Sequence, residues 1–88
     1  MTYPNLHTAA LAISRKLHTF AGRSIDPCHH SYCFDQMARA IDHINGERAA
    51  RSVNFDGTIY VGGNALPVLV TVQGTGISQP VTVTIQPA

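Results

Sequence analysis

The feature that most constrains this chain is where its charges stop. Every Lys, Arg, Asp and Glu lies at or before Asp56, and Gly57 to Ala88 carries no charged side chain. The hydrophobic period changes at nearly the same place. Before it, apolar residues recur at helical spacing; after Ser52 they alternate with a period of two, as strands do. The chain therefore reads as a helical half, 1–50, and a β half, 51–88, of a single domain 1–88.

The helical half predicts two helices. The first spans Asn5 to Ala21. Asn5 can cap the free N–H groups of the first turn, and Gly22 suits the left-handed residue beyond the end. Leu6, Ala9, Ala10, Ile13, Leu17 and Phe20 fill one apolar stripe. His7, Ser14 and His18 fall on the opposite side together with Leu11, an anomaly on a polar face. The second helix is bounded by Asp26-Pro27, a capping and first-turn signature, and by Asn45-Gly46. Its stripe is Cys33, Phe34, Met37, Ala40, Ile41 and Ile44, with Asp35, Arg39 and Asp42 opposite. Glu47 to Arg51 reads as a further helical turn or a loop.

The β half predicts an antiparallel meander of three to four strands, because its connections are too short for parallel crossovers. Asp56-Gly57 is a hairpin signal between Val53–Phe55 and Thr58–Val61. Gly62 to Ala65 is the next turn. Pro67 to Gln73 and Pro80 to Gln86 are strands, each opened by a proline whose missing N–H is tolerated there. Val68, Val70, Val72, Val81, Val83 and Ile85 face the helices. The expected fold is α+β, two helices on one face of the sheet, with Tyr60, Leu69, Thr71, Thr82 and Thr84 on the other.

Composition excludes several classes. Hydrophobic content of 44% is too high for a disordered chain. A net charge of +1 from dispersed basic residues supplies no field for nucleic acid. No run approaches the roughly 18 apolar residues of a membrane span. Met1 to Asn5 shows no basic region leading into an apolar run, so no signal peptide is expected. Two cysteines are too few for a disulfide scaffold, which favours a reducing compartment. The expected location is the cytoplasm or a virion assembled there.

The one cluster with chemical potential is Cys28-His29-His30-Ser31-Tyr32-Cys33. Two thiols and two imidazoles could bind zinc, but the spacing is not that of a structural site. The only downstream candidate, His43, would sit about 15 Å along the helix from Cys33. Two readings compete with simple packing of Cys33 at a helix start. One is an ion wrapped within the chain; the other is an ion shared by two chains through His29 and Cys33. A Cys28–Cys33 disulfide would require the helix to be broken. A Cys–His nucleophile would need an orienting group and an oxyanion hole, and the sequence offers neither. Gly62-Gly63-Asn64 and Gly74-Thr75-Gly76 do not open helices, so they are turns rather than phosphate loops. No catalytic residue, metal or cofactor is assigned.

An uncharged β half normally needs protection, because open strand edges recruit other chains. With two helices on one face, covering those edges inside so short a chain looks difficult. The expectation is a non-enzymatic structural or assembly protein, a homo-oligomer or a docked subunit of a larger assembly. The style suits a subunit of a symmetric shell, tube or ring, a phage-type virion component being one setting. The expected interface residues are Leu11, Tyr60, Leu69, Thr71, Thr82 and Thr84. The alternative is a small binding module that inhibits a host protein or sequesters a small molecule, meeting its target around His7, Leu11 and His18.

Overall fold

A computed structural model describes residues 1–46 and 51–88. The reading of Glu47 to Arg51 as a further helical turn or a loop therefore falls, for residues 47–50, outside the described residues, and Arg51 is in neither helix nor strand. In chain order the elements are β1 (Thr2–Tyr3), α1 (Leu6–Lys16), β2 (Thr19–Phe20), β3 (Arg23–Ser24), α2 (His30–Gly46), β4 (Val53–Val61), β5 (Asn64–Gly74) and β6 (Val81–Pro87). A single 3-10 turn, Pro27–His29, leads into α2. The strands form one antiparallel sheet of order β1-β6-β5-β4-β2-β3.

The α+β class holds, with six strands where the sequence predicts three to four. The additional strands come from the half expected to be helical. β1, β2 and β3 are two residues each, too short to carry a periodic signal.

Helix α1 starts where its cap predicts: the Asn5 side chain accepts from the Thr8 N–H at 2.9 Å. It stops at Lys16, earlier than Ala21. The His18 N–H donates to the Thr58 carbonyl at 2.8 Å, and Ala21 donates to Asp56. Strand β4 thus draws the chain out of the helix. Phe20 still reaches the core, but from a strand. Ala21 and Gly22 then make the two-residue turn of the β2–β3 hairpin, with φ of 54° and 77°. Ser14, expected on the polar side, is buried and donates to the Leu11 carbonyl.

Helix α2 follows its sequence signals closely. Cys33, Met37, Ala40 and Ile41 are buried, Phe34 and Ile44 half-buried, and Asp35, Arg39 and Asp42 exposed. The stripe packs on Val68, Val70, Val72, Val81 and Val83, the inner face of the sheet.

Asp56-Gly57 is not a turn. β4 runs straight through it, and Gly57 pairs with Val68 on one side and Phe20 on the other. The hairpin turn is Gly62-Gly63, both with positive φ. β5 begins at Asn64, so Pro67 lies inside it. The Pro67 carbonyl accepts from the Ala88 N–H, so its ring nitrogen faces that same outer side and the ladder to β4 loses nothing.

The edges are met in part within the fold. β1 clamps the start of β6, with reciprocal bonds between Met1 and Val83 at 2.9 Å. β2 and β3 cover the middle of β4. Beyond β1, the odd residues Ile85 and Pro87 of β6 face the open side, and Pro87 has no N–H to offer.

Candidate interaction surface

The sequence-predicted cluster at the start of α2 is dispersed by the fold. Asp26 caps the turn, accepting from the Cys28 N–H at 2.8 Å, while its own N–H donates to His29 Nδ1 at 3.3 Å. His29 is thus part of a capping box. His30 turns instead toward His7, ring centroids 6.0 Å apart and perpendicular. Cys28 is exposed and Cys33 is buried, both as free thiols. Among the described residues no three His, Cys, Asp or Glu side chains converge. An ion shared between chains through His29 and Cys33 has no geometry here, because Cys33 is fully enclosed. Burial also pushes the Cys33 thiol up from its ordinary 9.0 to about 11, against a weaker lowering by a backbone hydrogen bond. It stays protonated, the opposite of an activated nucleophile.

Among the described residues, none of the helices packs on the outer face of the sheet. Strand alternation and register place Tyr60, Leu69, Thr71, Thr82 and Thr84 on it together. Leu11 is not there: it is half-buried on α1, in the layer behind the sheet. Cross-strand polar pairs organise this face. Thr71 Oγ1 donates to Asn54 Oδ1 at 2.9 Å, and the Thr2 and Thr82 hydroxyls are bonded at 3.1 Å. Among the described residues its only charge is Asp56, since the other outward strand residues are neutral.

Toward the Gly62-Gly63 turn the sheet narrows to β4 and β5 alone. β2 pairs no further than Thr58, and β6 no further than Val68. The remaining pairs, Ile59–Leu66, Tyr60–Ala65 and Val61–Asn64, form a two-stranded ribbon. Tyr60, Val61 and Leu66 stand exposed on it. His18, freed from the helix, lies against Tyr60 with ring centroids 4.7 Å apart.

At the other end of the sheet the loop 75–80 lies against the helices. The Leu6 N–H donates to the Ile77 carbonyl at 3.0 Å, and Asn45 Nδ2 to the Thr75 carbonyl at 3.1 Å. This leaves an open depression of about 290 Å³ lined by Asn5, His7, Phe34, Ile77 and Ser78. It adjoins one of about 220 Å³ between His7, His30, Ser31, Phe34 and Asp35. Each falls below the roughly 300–1,000 Å³ of small-molecule sites.

The sequence reading singled out Tyr60 and His7 but missed Val61, Leu66, Phe34 and Ile77 as surface features. The ribbon was foreshadowed by Gly62-Gly63 between apolar flanks. The depression was not, because it is assembled from three distant segments.

Comparison with known protein families, curated proteins and solved structures finds no match. Among the described residues, no helix is long and apolar enough to cross a membrane.

Proposed function

We propose that this protein is a non-enzymatic assembly subunit, acting as a homo-oligomer or docked in a larger structure, in the cytoplasm or a virion assembled there. The observation that carries the reading is the bare outer face of the sheet, which holds one carboxylate, Asp56, among threonines and other neutral groups. Such a face can be dehydrated against a second sheet while stripping water from only one carboxylate per copy, charge desolvation being the larger cost in an interface. Sheets stack in this way about 10 Å apart, side chains interleaved. The edges are blocked in part within the fold, so the surfaces this reading assigns to contact are the face and the ribbon. A phage-type particle component is one setting that fits.

The test is mass in solution. Light scattering at low micromolar concentration should give more than the 9.5 kDa of one chain. Thr84→Lys, on an exposed position of the face, should lower that mass and leave the circular dichroism spectrum unchanged. Like charges stacked across a symmetric contact are costly. A wild-type monomer that binds no partner overturns the proposal.

The depression at His7, Phe34 and Ile77 supports a second reading, a small binding module that inhibits a protein or holds a small molecule. Non-self contacts confined to the helix side, with the sheet face free, would favour it.

A further inference from the structure

We infer that the protein self-associates head to tail, the Gly62-Gly63 ribbon of one copy seating in the His7–Phe34–Ile77 depression of the next. This rests on the self-association proposed above and names a contact distinct from the sheet face.

Among the described residues, the large apolar side chains left exposed are Met1, Tyr60, Val61, Leu66 and Ile77. Three are on the ribbon and Ile77 is on the loop at the other end of β5. The molecule measures 40 × 24 × 21 Å, and β5 runs along its length from one feature to the other. Projecting knob and receiving groove therefore sit at opposite ends of one chain.

The ribbon has no reason to stand alone. A two-stranded hairpin is marginal in water. Among the described residues, this one has no flanking strand beyond Thr58 and Val68. Of its apolar residues, Ile59 packs toward the core while Tyr60, Val61 and Leu66 stay exposed. Its tip, Val61 to Asn64, is narrow, apolar or neutral, and free of bulky groups at Gly62 and Gly63. The depression is preformed by the Leu6–Ile77 and Asn45–Thr75 hydrogen bonds, so binding costs little ordering. Its apolar floor, Phe34 and Ile77, suits Val61, and among the described residues no Asp, Glu, Lys or Arg lines it, Asp35 belonging to the adjoining depression. Val61 and the two glycines of the ribbon tip bring no charge to be buried. A contact between unlike patches is heterologous, and it propagates into a ring or an open filament.

A mixing experiment tests this. Two variants are made in the Thr84→Lys background, which removes pairing through the sheet face. One adds Val61→Asp and spoils the knob; the other adds Ile77→Asp and spoils the groove. Both side chains are more than half exposed, at 56% and 52%, so the fold should survive, as circular dichroism will report. If either variant misfolds, Leu66→Lys and Ser78→Arg replace them. Thr84→Lys alone should still associate. Each double variant alone should be monomeric. Their equimolar mixture should show a twofold rise in mass, because one intact knob then meets one intact groove. A monomeric Thr84→Lys protein, or a mixture that stays monomeric, overturns the head-to-tail contact while the sheet-face reading stands. Double variants that associate on their own overturn it as well. A monomeric wild type overturns the head-to-tail contact, and one that also binds no partner overturns the assembly reading with it.

Discussion

Gly57 lies so close under β2 that a Cβ placed on it would be 2.9 Å from the Thr19 carbonyl oxygen. The same atom would be 3.2 Å from Leu17 Cδ1. This glycine is the slot that lets the chain leave α1, cross onto β4 and start β2. Its role is close approach of backbone, not a turn.

Gly57→Ala should therefore destabilise the fold by about 1–3 kcal/mol, the usual cost of forcing extra volume into packed structure. The obstacle is backbone, which cannot swing aside. Gly74→Ala is the comparison, since its Cβ would meet only Ile41 and Val81 side chains at 3.4 Å. Urea titration should place the Gly57→Ala midpoint clearly below that of Gly74→Ala. Equal midpoints would mean that β2 does not lie against Gly57.

Ala21 holds φ of 54° in the β2–β3 turn, a left-handed conformation that L-alanine adopts at a cost. Asn tolerates that region, and Asn-Gly is the favoured pair for a two-residue hairpin. Ala21→Asn should stabilise the protein by about 0.5–1 kcal/mol. At roughly 4–8 °C per kcal/mol for a domain of this size, the melting temperature should rise by a few degrees. A fall in melting temperature would contradict the assigned turn.

Cys33 sets an alkaline limit. Its thiol is held up at about 11 in the folded chain, so between the ordinary 9.0 and about 11 the unfolded chain loses a proton that the folded chain keeps. The folded state then binds more protons, and stability falls as pH rises through that window. Below about 9 the site makes no pH-dependent contribution. Chemical denaturation at stepped pH should show this loss in wild type and a smaller one in Cys33→Ala. The thiols should also separate in alkylation: exposed Cys28 reacts rapidly in the native state, and enclosed Cys33 reacts only on unfolding. Two equally fast thiols would contradict the burial.

Local chemistry was legible in the sequence wherever the deciding groups are neighbours in the chain. Asn5 and Asp26 cap the turns they precede, because the N–H groups they satisfy lie two or three residues away. The stripe of α2 and the alternation of Val68, Val70 and Val72 with Val81 and Val83 announced which faces are buried. By the same parity, Tyr60, Leu69, Thr71, Thr82 and Thr84 were placed together on the outer face.

What only the tertiary structure decided involves partners far apart in the chain. The end of α1 depends on the Thr58 carbonyl that takes the His18 N–H. The strand through Asp56-Gly57 depends on β2 filling the glycine slot. The blocked edge of β6 depends on Met1 reaching Val83. Leu11 looked outward on a helix considered alone, yet the packed molecule half-buries it in the helix layer. The depression at Phe34 and Ile77 arises where α1, α2 and a strand loop meet. Helical and strand periods describe one element at a time. Which backbone group fills another's unmet hydrogen bond, and which side chain another's empty space, is settled only when the elements meet.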